Sequence, residues 1–231
     1  MMPRVVAAGD STLVVEFDDR IAVDVNAQAI GLARYLERLK IAGIRDIVPT
    51  FRTVAVAFDP LVTDASVLTD TLKKSMRSSH RRDASASRVI TVPVCYDEAF
   101  APDLARVAER AGADRASVIG WHAAGEYHVF MLGFTPGFAY MGSVDPRIAT
   151  PRLESPRTKV VAGSVGIAGE QTGIYPADTP GGWNIIGRTP LRIWRDGTDE
   201  PALFKAGDTV RFEPIDRATF DQWPGRSEEP A

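Results

Sequence analysis

Residues 133–190 decide the fold of this chain, and they read GFTPGFAYMGSVDPRIATPRLESPRTKVVAGSVGIAGEQTGIYPADTPGGWNIIGRTP. This quarter of the sequence carries 10 of the 19 glycines and 7 of the 16 prolines. Glycine permits positive φ, and proline fixes φ and removes a donor, so the stretch excludes a long helix. Interspersed apolar anchors such as Phe138 and Trp183 argue against low complexity. We therefore expect short strands and tight loops that build a site.

Outward from this block, residues 89–231 are predicted to form a β-barrel domain. Short strands separated by Gly/Pro turns are typical of barrels and sandwiches. Two helices are expected before the turn-rich region, over 103–110 and 114–123. The strands are expected at 88–95, 127–132, 160–168, 184–187, 190–195 and 208–213.

Residues 1–80 are predicted to form a small α+β sandwich domain. The order is strand, helix, strand, strand, helix, with strands at 12–17, 45–49 and 53–58 and with Asn26 as a helix cap. Residues 81–88 end a basic, serine-rich run and are predicted to be a solvated linker. The alternative for this run is a basic patch for an anionic partner. The fold class is therefore α+β, a sandwich followed by a barrel.

Composition limits the function classes. The net charge is −3, which argues against a general nucleic-acid binder. Cys95 is the only cysteine and there are three histidines, so neither a disulfide nor a dedicated metal site is expected. No run of 18 apolar residues and no signal peptide is apparent, so we expect no membrane association and a cytoplasmic location.

Cations dominate the polar groups of the Gly/Pro block. No Walker-type phosphate loop, G-x-S-x-G elbow or H-E-x-x-H motif is present. Arg152, Arg157, Lys159 and Arg188 have little acidic compensation nearby, and arginine and lysine bind carboxylates and phosphates. The backbone of the glycine-rich run 163–169 would also suit an anion. The pattern favours an anionic ligand, either a phosphate or a small carboxylate; alternatively, the arginines only tie loops to carbonyls and acids.

Seven residues of the block are candidates for binding a substrate or nucleotide through hydroxyl, amide, aromatic, cationic or backbone groups. Most of these can equally satisfy turn backbone, and Trp183 can equally be a core anchor. His122 is the one candidate general acid–base among the histidines, although a lone histidine is more often structural. The seven are Gly163, Ser164, Gln171, Thr172, Tyr175, Trp183 and Arg188.

The motifs of the block resemble the KipI-like family, which includes the B component of 5-oxoprolinase and allophanate hydrolase subunit 1. The chain is also similar to half of the carboxyltransferase domain of urea carboxylase. The resemblance covers nearly the whole chain. The matching motifs are His122-x4-Tyr127, 133–140, Pro151-Arg152-x4-Pro156-Arg157, 162–169, 171–176, 180–183 and 186–190.

The resemblance implies an α+β domain, a cyclophilin-like barrel and a heteromeric enzyme that is inactive as a single chain. The implied partners are a larger KipA-like subunit (the C component of 5-oxoprolinase, or allophanate hydrolase subunit 2) and a third protein, the A component. The implied reaction opens 5-oxoproline to glutamate with ATP and Mg at the level of the complex. In this hypothesis His122, Arg157 and Lys159 are the catalytic residues, and the block forms one wall of a shared site or subunit seam.

Two other functions remain open from the sequence. One is a KipI-type inhibitor of a sensor histidine kinase, which needs an exposed binding surface but no complete active site. The other is half of a biotin-dependent carboxyltransferase acting on urea or a similar amide, which needs a biotin-carboxylase partner.

Overall fold

The computed structural model describes residues 3–79 and 87–224, without the side chains of 77–79. The chain divides into two compact units, Met1–Ser87 and Arg88–Ala231. His80 and all of the expected linker except its last two residues lie outside the described residues.

The first unit is a four-stranded antiparallel sheet with two helices. The strand order is β1-β2-β4-β3, and every neighbouring pair is antiparallel. The sequence missed the short first strand. The elements are β1 Arg4–Ala7, β2 Thr12–Glu16, α1 Val23–Leu39, β3 Ile44–Pro49, β4 Thr53–Phe58 and α2 Ala65–Ser79.

Alternation of buried and part-exposed residues along β2 and β4 gives the sheet one apolar face. The helices supply Leu32, Leu36 and Leu72 to the core on that face. The sequence suggested that Asn26 caps α1, but in the structure it does not. It lies inside the helix, fully buried, and its amide donates to the Thr50 and Phe51 carbonyls at 2.8 and 3.2 Å. The buried amide of Asn26 therefore has hydrogen-bond acceptors in the turn between β3 and β4.

The second unit is a closed seven-stranded barrel with helices and a separate two-stranded sheet. The barrel order is β10-β7-β6-β13-β5-β12-β9, and β11 pairs with β8 outside it. The elements are β5 Val89–Cys95, α3 Leu104–Ala111, α4 Arg115–Ala123, β6 Glu126–Leu132, β7 Ala139–Gly142, a 3-10 turn Pro146–Ile148, β8 Arg157–Val160, β9 Ser164–Ala168, β10 Gln171–Ile174, β11 Thr179–Gly181, β12 Asn184–Arg188, β13 Thr209–Ile215 and α5 Arg217–Asp221.

Two expected strands differ in the structure. The strand expected over 160–168 is broken into β8 and β9, because Gly163 takes φ +83° between them. The strand expected over 190–195 is absent from the described part of the unit, where only an isolated bridge joins Trp194 to Ala202. Pro190 has no backbone N–H to donate to a neighbouring strand, which disfavours a regular strand at this position.

The predicted fold class, an α+β unit followed by a β-barrel, is confirmed. The barrel closes around a core that includes Val94, Tyr127, Val165 and Phe212. Cys95 is buried, and burial raises the pKa of its thiol. Within 3–79 and 87–224, no helix is both long and apolar enough to cross a bilayer.

We expect Leu72→Ala to lower the free energy of unfolding by about 2–5 kcal/mol, because Leu72 is fully buried between helix and sheet and its truncation leaves a cavity. Leu61, which is 95% exposed, provides the matched control. Leu61→Ala should change stability by less than about 0.5 kcal/mol. Urea unfolding followed by circular dichroism measures both, and equal effects would contradict this packing.

Candidate functional site

A cleft of about 250 Å³ opens on the second unit. Three of the predicted cations, Arg157, Lys159 and Arg188, line it. Arg157 and Lys159 are two residues apart on β8, and residues at this spacing share one side of a strand. The remaining lining residues are Ala99, Phe100, Pro102, Val160, Val161, Ser164 and Ile185. The structure therefore brings four of the ten candidate site residues into one cleft.

A buried carboxylate holds Arg157 in place. Arg157 Nη2 donates to Asp103 Oδ1 at 2.7 Å, and the other oxygen, Asp103 Oδ2, accepts the backbone N–H of Ile185 at 2.7 Å. The backbone N–H of Asp103 donates in return to the Ile185 carbonyl at 3.0 Å. Asp103 is 6% exposed. Its two oxygens are therefore both engaged, and the orientation of the guanidinium is fixed by the start of α3 and by β12.

Arg157 retains an unused donor. Its Nη1 is closed to solvent and has no hydrogen-bond acceptor among the described residues, although a third of the side chain is exposed. An unsatisfied buried donor costs about 1–3 kcal/mol. The guanidinium is thus anchored through Nη2, while its Nη1 has no acceptor in the described part of the chain.

Lys159 is held by a second carboxylate. Lys159 Nζ lies 2.8 Å from Asp178 Oδ2, and Asp178 Oδ1 accepts the backbone N–H of Ala162 at 2.8 Å. The hydrogen bond from Lys159, then that from Ala162, lowers the pKa of Asp178. Both side chains of the pair are substantially exposed. The pair therefore orders the loop after β8 more than it stabilises the fold.

Arg188 closes the opposite side of the cleft from β12. Its Nε donates to the Ala162 carbonyl at 3.0 Å, and its guanidinium carbon lies 5.7 Å from the centre of the Phe100 ring. The guanidinium carbon of Arg217 lies 4.4 Å from the centre of the same ring. Phe100 is thus a fixed apolar wall with cations beside it.

The backbone of the glycine-rich run 163–169, which the sequence suggested as an anion site, is engaged within the barrel. Residues 164–168 form β9, which pairs with β10 and β12. The N–H groups of Gly163 and Gly169 donate to the carbonyls of Tyr175 and Thr150, each at 2.7 Å. The amides are consumed by the barrel, because the two neighbouring strands need them.

Gly163 is required by geometry. A Cβ at Gly163 would lie 2.6 Å from the Thr189 carbonyl oxygen, and φ is +83°. Ser164, which follows it, is buried on the cleft wall, and its carbonyl accepts the N–H of Tyr175 at 2.9 Å. Gly163 therefore allows the close approach of Thr189, whereas Ser164 contributes to the cleft surface.

Four candidates are placed away from the cleft wall. Thr172, Tyr175 and Trp183 are buried, and Gln171 is half-buried at the start of β10. Trp183 and Tyr175 pack edge-on against Phe138 at ring-centre distances of 5.3 and 5.4 Å. These aromatic side chains form a core cluster beside the barrel, so the structure assigns them packing contacts rather than a ligand surface.

His122 lies inside the barrel, fully buried. The Tyr96 hydroxyl lies 2.7 Å from Nδ1, and Thr172 Oγ1 lies 3.0 Å from Nε2. Since the Thr172 hydroxyl donates to the Gly166 carbonyl at 3.0 Å, it accepts from Nε2–H, and Tyr96 donates to Nδ1. Burial lowers the pKa of His122 to about 3. A neutral imidazole with both nitrogens engaged is a structural core group here, not an accessible acid–base.

The sequence missed Asp103 and Asp178, the two carboxylates that position the cleft cations. Asp103 stands at the start of a helix, where an acidic residue indicates capping, but its side chain makes no cap bond to α3. The only signal in the sequence was an aspartate directly after Pro102. Within the described ranges, no group of three or more His, Cys, Asp or Glu residues is arranged to hold a metal.

Residues 3–204 match the protein family described as carboxyltransferase domain, subdomain C and D. The B component of 5-oxoprolinase from Bacillus subtilis (strain 168) is 37% identical over 229 residues, which are 95% of each chain. The crystal structure of TTHA0988 superposes on this chain with a TM-score of 0.79 and a sequence identity of 34%. The aligned region includes 89% of this chain but only 40% of TTHA0988.

The crystal structure of the Kluyveromyces lactis urea amidolyase superposes with a TM-score of 0.76 and 22% identity. It covers 95% of this chain, which corresponds to 15% of that protein. At this identity the similarity concerns the fold alone.

We expect the His122 imidazole to show no protonation midpoint near 6.5, since burial lowers its pKa to about 3. Between these pH values the unfolded chain binds a proton that the folded chain does not. Because of this histidine, the free energy of unfolding decreases as the pH falls from 6.5 to about 3, by up to about 1.4 kcal/mol per pH unit. Long-range ¹⁵N NMR of the ring across the folded pH range measures the midpoint. A His122 midpoint within one unit of 6.5 would contradict the buried geometry.

Proposed function

Because the chain belongs to the family of carboxyltransferase subdomains C and D, we propose that it is the B component of an ATP-dependent 5-oxoprolinase. In this proposal the chain acts with a larger partner and a third component to open 5-oxo-L-proline to L-glutamate. The main support is the 37% identity to the B component of a 5-oxoprolinase along 95% of both chains. An alignment of this extent includes both units and every cleft residue.

The cleft fits an anionic substrate. Arg157, Lys159 and Arg188 surround it, and Phe100, Pro102, Val160 and Ile185 give it an apolar lining. Positioned cations stabilise negative charge where a substrate carries or develops it. In the proposed reaction, these side chains bind and orient the substrate against the part of the site that the partner supplies.

A nucleotide with Mg fits this chain poorly. The cleft volume of about 250 Å³ is below the roughly 300–1,000 Å³ of sites for drug-sized ligands. The glycine-rich backbone is committed to β9 and its neighbours, so it offers no phosphate cradle. We therefore assign ATP and Mg to the complex and derive no step through them on this chain.

The loop between β6 and β7 fits the proposed partner seam. Phe134 is 62% exposed and adopts φ +67°, which is unfavourable for a non-glycine residue by about 1–2 kcal/mol. The ring is held at 5.6 Å from Phe138, edge to face. Exposed aromatics in a fixed geometry are typical anchors of protein interfaces. We assign this loop to contact with the larger partner.

Reconstitution tests the function directly. The chain, its larger partner and the third component should together release glutamate from 5-oxoproline only when ATP is present. Omitting this chain should abolish turnover, and adding it back should restore turnover. A complete assembly that hydrolyses no 5-oxoproline, or one that turns over equally well without this chain, would contradict the proposal. Turnover of urea or a related amide with a biotin-carboxylase partner would favour the carboxyltransferase alternative instead.

Phe134→Asp should weaken assembly with the larger partner by about tenfold to a hundredfold, because truncating an interface anchor costs about 2 kcal/mol. Leu61→Asp on the first unit is the matched control, since it also places a charge at an exposed apolar position. Affinity is measured by titration of the purified proteins. Equal losses for both variants, or no loss for Phe134→Asp, would contradict the seam.

A further inference from the structure

We infer that the Arg157 cleft is a carboxylate subsite that binds the carboxylate of a small monoanionic cyclic amide, and that Asp103 is its positioning residue. This inference deepens the proposed function and rests on it for the identity of the substrate. It assigns the substrate anion to this chain and the nucleotide phosphates to other parts of the complex.

The position of Arg157 supports this assignment. Asp103 fixes Nη2 at 2.7 Å and is itself fixed by the Ile185 N–H at 2.7 Å. The Arg157 side chain is one-third exposed and lines the cleft, so a ligand oxygen meets the guanidinium from the cleft side. A carboxylate there forms a charge-assisted hydrogen bond with the positioned guanidinium.

The charges of the cleft also favour an anion. Within the described part of the chain, its lining includes the cations Arg157, Lys159 and Arg188 and no carboxylate. Asp103 and Asp178, which pair with Arg157 and Lys159, lie outside that lining. Such a lining suits a ligand that carries a carboxylate.

The shape and lining of the cleft suit the same ligand. Phe100, Pro102, Val160 and Ile185 offer apolar contacts beside the cations. A volume of about 250 Å³ suits a small ring with one charged group. The backbone donors that usually hold a nucleotide phosphate are taken up by the barrel, as the hydrogen bonds within the 163–169 run show.

Equilibrium titration of the full chain with 5-oxoproline, its neutral methyl ester and ATP tests the inference. The acid should bind at least about tenfold tighter than the ester, because the ester has no charge for Arg157. ATP should not displace the acid. Absence of acid binding, equal binding of acid and ester, or displacement by ATP would overturn the inference.

Substitutions of Arg157 and Asp103 test whether these two residues recognise the carboxylate. Arg157→Gln should abolish the preference for acid over ester, and Arg157→Lys should retain part of it, since lysine keeps the charge without the fork. Asp103→Asn should reduce the same preference while Arg157 is intact, which loss of stability alone would not do. Arg211→Gln removes a surface arginine paired with Glu126 and should change nothing. Unchanged preference in Arg157→Gln or Asp103→Asn chains that circular dichroism shows to be folded would overturn the assignment.

The reconstituted complex separates this inference from the proposed function. Arg157→Lys should raise the KM for 5-oxoproline by about tenfold or more and leave the KM for ATP within about twofold. A rise in the KM for ATP alone would overturn the subsite while the function stands. A complex without turnover would contradict the function, and the titration with acid and ester would still decide the subsite.

Discussion

The buried carboxylate of Asp103 is the constraint on which the site depends. It accepts the N–H of Ile185 on β12 and the guanidinium of Arg157 on β8, while its own N–H returns to the Ile185 carbonyl. Three elements, α3, β8 and β12, therefore meet at one side chain. A buried carboxylate with both oxygens engaged tolerates little movement, because breaking such a pair leaves a desolvated charge. The direction of Arg157 follows from this arrangement.

The barrel explains why the Gly/Pro block forms walls and turns rather than a phosphate loop. Its glycines allow close approach between neighbouring strands, as at Gly163, where a Cβ would meet the Thr189 carbonyl at 2.6 Å. The backbone amides are used within the sheet, and the site chemistry falls to side chains at the strand ends. In the proposed site, an anion therefore meets guanidinium and ammonium groups, and carboxylates hold Arg157 and Lys159 in place.

The sequence predicted much of this arrangement and missed some of it for definite reasons. Short strands separated by Gly/Pro turns predicted the barrel, and the local excess of cations predicted Arg157, Lys159 and Arg188, which the structure brings together. Asp103 and Asp178 lie 54 and 19 residues from their partners, so no local pattern reveals them. His122 and Trp183 look chemically capable in the sequence, but their burial depends on closure of the barrel, which residue type alone does not predict.

We propose that this chain orients a small anion and that other parts of the complex supply the nucleotide. A crystal structure of the chain with 5-oxoproline at saturating concentration tests this proposal most directly. The carboxylate should lie within about 3.2 Å of the Arg157 guanidinium, with the Asp103–Arg157 pair intact. Ligand density at another site, or a carboxylate turned away from Arg157 inside the cleft, would contradict it.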